Sequence, residues 1–224
     1  MTAKKLSSAR PLFVRLKTAR GRTVSSQRWL MRQLNDPYVH RSKVDGYRSR
    51  SAYKLLEIDE KFKILKSGSK VVDLGAAPGG WTQVSLERVG LKGCVVGIDL
   101  TPMEPLERAQ LICGDFCDPT KGEEIKAYLK GPVNVVLSDM AAPSTGHPQT
   151  DHMRIMTLAE EAFLFAQDVL ERGGSFVAKV LQGGTEKELL QLLKKHFEKV
   201  CHFKPSASRS DSAEMYVVAL GFRP

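Results

Sequence analysis

Val71-Val72-Asp73-Leu74-Gly75-Ala76-Ala77-Pro78-Gly79-Gly80-Trp81 decides the fold. A short apolar run ends in an acid, breaks into a glycine-rich bend and passes at once into an amphipathic segment, Thr82 to Val89. That order reads as a buried parallel strand, a tight turn and an opening helix. Glycines in such a turn let a ligand lie against backbone that side chains would otherwise cover. The turn follows the carboxyl end of a strand, where open α/β sheets bind their ligands.

The first strand spans residues 70–74, and later apolar runs place strands at 94–100, 110–113, 133–138, 175–180, 199–203 and 214–222. Helices fill the intervals, clearest at 152–171, closed by Gly173-Gly174, and at 184–197. Upstream, Ser25-Ser26 are expected to cap a helix carrying Trp29, Leu30 and Leu34, which Asn35-Asp36-Pro37 interrupts. Another helix starts near Ser51, with Ala52, Leu55, Leu56 and Ile58 forming much of one face. Alternating strands and helices predict a parallel sheet covered on both faces. Residues 204–213 carry no helical pattern, so the last strand is expected to run antiparallel.

The chain has 224 residues, 42% hydrophobic and 26% charged, enough for one sizeable core. Residues 1–35 hold nine Lys or Arg and no acid, whereas the remainder holds 25 of each sign, so the net charge of +9 resides in that arm. The basic run continues through Arg41, Lys43, Arg48, Arg50 and Lys54. A basic stripe beside a neutral body is a footprint for a polyanion, most simply RNA. A solubilising arm and a transit peptide are the alternatives. The expected division is a basic, disordered arm over residues 1–24 and one domain over 25–224 that includes N-terminal helices at 25–66.

No apolar run approaches membrane-spanning length and no signal-peptide core opens the chain, so a soluble, cytoplasmic protein is expected, or a mitochondrial one if the arm is a transit peptide. Cys94, Cys113, Cys117 and Cys201 lack the paired spacing of a zinc site. Reduced, mostly buried thiols and no metal are expected.

A nicotinamide cofactor would need G-x-G-x-x-G at the first turn, and the G-x-G pair is missing from Gly75-Ala76-Ala77-Pro78-Gly79-Gly80. S-adenosylmethionine has no phosphate to grip; it needs acceptors for an ammonium, a ribose and an adenine. Asp99 ends the second strand, where a carboxylate can accept ribose hydroxyls. Asp115 follows the third strand, placed to accept the adenine amino group while Phe116 flanks the ring. Asp139 ends the fourth strand, toward the methionine end. Asp73, Gly75, Gly79 and Trp81 complete the candidate cofactor set. Trp81 adjoins the cradle, although a tryptophan there more often packs than binds.

Asp73-Leu74-Gly75-Ala76-Ala77-Pro78-Gly79-Gly80-Trp81 with Ser138-Asp139-Met140-Ala141 resembles the FtsJ-type ribosomal RNA 2′-O-ribose methyltransferases. Further blocks carry the likeness: Arg48-Ser49-Arg50-Ser51-Ala52-Tyr53-Lys54-Leu55, Gly173 to Val180 and Ser208 to Tyr216. The resemblance spans Ser25 to the C-terminus. It implies a Rossmann-like S-adenosylmethionine-dependent methyltransferase fold, with a mostly parallel seven-stranded sheet, an antiparallel last strand and helices on both faces. It also implies a catalytic tetrad, which falls on Lys54, Asp139, Lys179 and Glu214. The substrate it implies is a uridine of 23S ribosomal RNA in the large subunit. No obligate protein partner is evident, and a monomer is expected. Where the family continues Asp-Met-Ala-Pro-Asn, this chain has Ala142-Pro143 after Ala141, removing an amide expected near the substrate ribose. The loop 144–150 is expected to adapt the RNA site.

The residues support such chemistry. Methyl transfer from a sulfonium needs in-line approach, so positioning supplies much of the rate. Lys179 serves as general base if Lys54 and the sulfonium depress its pKa, or as an orienting cation if Asp139 and Glu214 keep it protonated. A non-catalytic RNA-binding assembly factor and an oxidoreductase are the rival readings. The intact tetrad counts against the first and the missing G-x-G against the second.

Overall fold

The computed structural model describes residues 14–16, 21–182 and 186–224. Most of the expected arm, residues 1–13 and 17–20, therefore lies outside the described residues, as does the expected start of the helix at 184. The chain runs α1 (Val24–Leu34), α2 (Pro37–Asp45), α3 (Ala52–Phe62), β1 (Lys70–Leu74), α4 (Gly80–Val89), β2 (Cys94–Asp99), β3 (Ala109–Cys113) and α5 (Pro119–Leu129). It continues with β4 (Val133–Ser138), α6 (Pro148–Val169), β5 (Leu170–Leu181), α7 (Glu186–His196), β6 (Phe197–Phe203) and β7 (Glu214–Phe222).

The seven strands form one sheet in the order β3-β2-β1-β4-β5-β7-β6. β1 pairs in parallel with both β2 and β4, whereas β7 runs antiparallel to β5 and β6. The segment between β6 and β7 is a short run of turns with no crossover helix, which is why the last strand reverses. This is the expected Rossmann-like methyltransferase architecture.

Strand alternation assigns the core to two faces. Val71, Val95, Val135, Val177, Tyr216 and Val218 face α3 and α4, meeting Ala52, Leu55, Ile58, Trp81 and Val84. Val72, Val96, Val136, Phe176 and Val217 face the other way, onto Ile125, Leu129, Met156, Phe163 and Leu193.

Several local expectations are corrected. The α1 cap is Thr23, whose hydroxyl accepts from Ser26 N at 3.2 Å, rather than Ser25-Ser26. Asn35-Asp36-Pro37 does more than interrupt: Asp36 caps α2 by accepting from Tyr38 N at 3.0 Å, and Pro37 occupies its first turn. Gly173-Gly174 do not close α6, because β5 already begins at Leu170. The register between β4 and β5 jumps there, from Val133↔Leu170 to Val135↔Ser175, and Gly173 supplies the positive φ of 85°. The thiols are not mostly buried: Cys113 and Cys117 are exposed and Cys94 and Cys201 half-buried, since Cys94 and Cys113 lie at strand ends, Cys201 lies on the edge strand β6 and Cys117 sits in the turn after β3. All four are free.

Candidate active site

β1 lies between β2 and β4, so the sheet's topological switch point falls at its carboxyl end. A cleft of about 1030 Å³ opens there. Its floor includes Gly75, Asp99, Asp115 and Asp139, from the ends of four neighbouring strands. Leu100, Phe116 and Met140 give it apolar surface, and Thr150, Met153, Arg154 and Leu158 of α6 form a further wall. A Cβ at Gly75 would lie 2.5 Å from Cγ of Met140, and the backbone has φ of 75°. Only glycine lets the turn and the Asp139-Met140 segment approach this closely.

The acids are held in place by the backbone. Asp99 accepts from Ala77 N at 3.0 Å through one oxygen and from Thr101 N at 2.8 Å through the other. Asp115 accepts from Cys117 N at 3.0 Å. Asp73, Gly79 and Trp81 are not among the cleft-lining residues. Asp73 is wholly buried; it accepts from the Thr82 hydroxyl at 2.7 Å, and its other oxygen has no partner. Burial raises its carboxyl to about 7, with the Thr82 hydrogen bond opposing. Gly79 precedes α4 with φ of 109°. Trp81 packs against Tyr216 with ring centroids 5.5 Å apart and donates its indole N–H to Ser51 O at 2.8 Å. Its side chain is a packing element of the cradle.

Beside Asp139 the four residues of the expected tetrad converge. Lys179 Nζ lies 2.8 Å from Asp139 Oδ1 and donates to the Asp139 carbonyl oxygen, also at 2.8 Å. Glu214 Oε2 is 3.7 Å from Lys179 Nζ. Lys54 Nζ is 2.6 Å from Glu214 Oε1 and 4.0 Å from Asp139 Oδ1. Two cations and two anions alternate in a nearly closed, largely buried ring.

That balance fixes the charges. Burial pushes the Asp139 carboxyl up, but Lys179 and Lys54 outweigh it and hold the group below the ordinary carboxylate value. Burial likewise opposes ionisation of Glu214, and the same lysines overcome it. Burial favours a neutral Lys179, yet Asp139 and Glu214 carry its pKa above 10.5. Of the two roles open to Lys179, this charge balance favours the protonated, orienting cation.

Sequence reasoning missed Tyr216 as a site residue. Its hydroxyl donates to Asp139 Oδ1 at 2.6 Å and lies 3.4 Å from Glu214 Oε1. Burial first, then the neighbouring carboxylates, hold the phenol well above 10, so it remains a donor. The signal was present: residues two apart on a strand share a face, so Tyr216 follows Glu214 there, and its cross-strand partner is Lys179. Ser208 was also missed; its hydroxyl donates to Glu214 Oε1 at 3.0 Å.

The basic stripe divides in two. Arg48 donates to the carbonyl oxygens of Glu104 at 2.7 Å, Pro105 at 2.9 Å and Pro78 at 3.3 Å, strapping the turn to the segment after β2. Arg50 is bound by Asp36 and by Ala207 O, and Arg41 pairs with Asp45 at 3.2 Å. Lys54 belongs to the tetrad. Arg48, Arg50 and Lys54 are thereby tied to the protein's own oxygens, whereas Lys43 stays exposed and Arg41 is more than half exposed in its pair with Asp45. In the loop expected to adapt the RNA site, Asp151 accepts from Ser144 Oγ, Thr145 N and Thr145 Oγ1, each at 2.7 Å. Among the described residues no cluster of His, Cys, Asp or Glu could hold a metal ion, and no helix is long and apolar enough to cross a membrane.

Residues 47–222 match the model of the FtsJ-like methyltransferase family. The chain belongs to this family. Relatives from other organisms extend the match beyond those limits. A Parvibaculum lavamentivorans protein named ribosomal RNA large subunit methyltransferase E is 58% identical over 96% of this chain and 89% of its own length. A protein of the same name from Paramagnetospirillum magneticum is 59% identical over 96% and 90%. Among solved structures, a Plasmodium falciparum chain described as a ribosomal RNA methyltransferase superposes with a TM-score of 0.72 at 32% identity. It covers 79% of this chain and 98% of its own.

Proposed function

We propose that this FtsJ-like methyltransferase transfers a methyl group from S-adenosylmethionine to a ribose 2′-hydroxyl of RNA, a uridine of 23S ribosomal RNA in the large subunit. The reading rests on one observation above the others: Lys179, Lys54, Asp139 and Glu214 meet beside a cleft lined by Asp99 and Asp115. The relatives' names supply the substrate. In this reading the domain covers residues 25–224 and works in the cytoplasm as a monomer with no obligate protein partner.

The cleft fits the cofactor by its donor set. Asp99 would accept from the ribose hydroxyls and Asp115 from the adenine amino group, with Leu100 and Phe116 offering apolar contact to the ring. The peptide groups of Gly75, Gly79 and Trp81 would border the methionine end, while Asp73 is wholly buried and outside the cleft lining. When bound, S-adenosylmethionine supplies a methyl group on a positively charged sulfur. Lys179 would donate to the 2′-oxygen and aim its lone pair, and Asp139 would take the hydroxyl proton and pass it to water as the O–C bond forms and the methyl–sulfur bond breaks to leave a neutral thioether. Lys54 and Tyr216 keep the two carboxylates ionised and oriented. Preorganised charges of this kind act without reorganising during the reaction.

The test is transfer of labelled methyl groups to isolated large subunits and to naked RNA, followed by nucleoside analysis. Label is expected on a ribose oxygen of a uridine. Label on a base would overturn the reaction, and wild-type protein that binds S-adenosylmethionine without transfer would favour the assembly-factor reading.

A further inference from the structure

We propose that α1 and the chain segment strapped beside it form a single-stranded RNA platform, built from Arg15, Arg28, Arg32 and Trp29. The inference rests on the RNA substrate proposed above and names the surface that holds it. α1 contains no acid, and Val24, Arg28, Trp29, Arg32 and Leu34 are exposed on it. The side chain of Asn35 fastens residue 14 alongside: it accepts from Val14 N at 2.8 Å and donates to Val14 O at 3.0 Å. This strap brings Arg15 and Leu16 against α1 and creates a groove of about 750 Å³ with Val24, Arg28, Met31 and Arg32 on its other wall.

The groove has an apolar base and three guanidinium groups, the combination that grips a phosphate backbone while bases find apolar surface. Trp29 is 50% exposed, a large aromatic left in water. It lies three residues from Arg32, hence beside it on the helix surface. Arg15 and Arg28 form no ion pair or side-chain hydrogen bond with the described residues. Arg32 faces Asp211 across 3.8 Å with both side chains more than half exposed, a weak pair that a phosphate can displace. These cations are available, unlike Arg48 and Arg50.

Position links the platform to the reaction. Asp211 belongs to the segment that ends at Glu214, and Arg209 of that segment reaches Asp36, the N-cap of α2, at 3.5 Å. RNA lying on α1 is therefore on the flank of the molecule that delivers Glu214 to the tetrad. An acidic protein segment could also meet arginines, but the exposed indole beside them favours a stacking base.

The test uses the full chain and a short oligouridylate. The wild type is expected to show RNA-dependent quenching of tryptophan fluorescence that Trp29→Phe abolishes, since Trp81 is buried. Arg28→Ala/Arg32→Ala is expected to weaken binding roughly tenfold and to lower the slope of log affinity against log salt by about 1.4. The double lysine variant should restore the slope, and calorimetric binding of S-adenosylmethionine checks that each variant is folded. Quenching that persists in Trp29→Phe, or an unchanged salt slope, would overturn the platform. Loss of large-subunit binding with an unchanged oligouridylate slope would also overturn it, in favour of a protein contact. RNA binding through Trp29 without ribose methylation would instead refute the proposed activity and leave this surface standing.

Discussion

Asp73 and Asp139 come from neighbouring strands, Asp73 pairing in register with Leu137 just before β4 ends, and both are withdrawn from water. Their charge states nevertheless diverge. Asp73 meets a hydroxyl and no cation, and its carboxyl rises to about 7. Asp139 meets two ammonium groups and a phenol, and its carboxyl falls below the ordinary value despite burial. Burial alone neutralises an acid, while burial with paired cations locks it ionised. The same sheet thus holds one carboxyl poised to titrate and one fixed as an anion.

Removing the cation should break this difference most severely. Lys179→Met is expected to lower single-turnover methylation by on the order of 10²–10⁴. The Asp139 carboxyl should then shift up toward Asp73 in a carboxyl-resolved NMR titration. Near-normal turnover with cofactor binding intact would remove Lys179 from its assigned role.

Asp73→Asn should sharpen the contrast through stability. The folded value of Asp73 is raised above 3.8, so its contribution is full below pH 3.8 and is lost as pH rises to about 7. The loss amounts to roughly 4 kcal/mol for a shift of this size. Asp139 and Glu214 work the other way: their lowered values give stability above about pH 4 that disappears as acid protonates them. Denaturant melts from pH 5 to 8 should therefore slope downward in the wild type and flatten in Asp73→Asn. Parallel curves would refute the elevated value.

Tyr216→Phe is a smaller test, deleting one donor to Asp139 while keeping the ring on Trp81. About a tenfold loss of turnover is expected, from a hydrogen bond to a charged group worth roughly 1.5–3 kcal/mol. The Asp139 titration should move up, which a merely structural role would not cause. Arg48→Ala should have the mildest effect. Freeing the segment after β2 from its strap is expected to weaken S-adenosylmethionine binding by a few fold, with a stability loss of about 1–2 kcal/mol. Calorimetry with intact turnover at saturating cofactor would check it.

Much of this was legible in local pattern. The run Val71 to Trp81 announced strand, turn and helix because a short continuous apolar run and an obligatory glycine are written residue by residue. Lys54, Asp139, Lys179 and Glu214 were found by resemblance rather than by spacing, since 160 positions separate Lys54 from Glu214. Tyr216 went unassigned because an aromatic in a strand usually means core, and here it is core on its ring and site on its hydroxyl. Arg48 and Arg50 were read with the phosphate-binding stripe because sequence records charge and omits partners.

By itself, the sequence determined the α/β order, the reversed last strand, the glycine turn and the acids at the strand ends, all consequences of short-range periodicity and backbone sterics. Tertiary structure decided which arginines became internal straps, which carboxyl kept its charge and which oxygen of Asp139 the lysine and phenol share. Those outcomes depend on distances of a few ångströms between residues far apart in the chain, and on how completely folding excludes water between them.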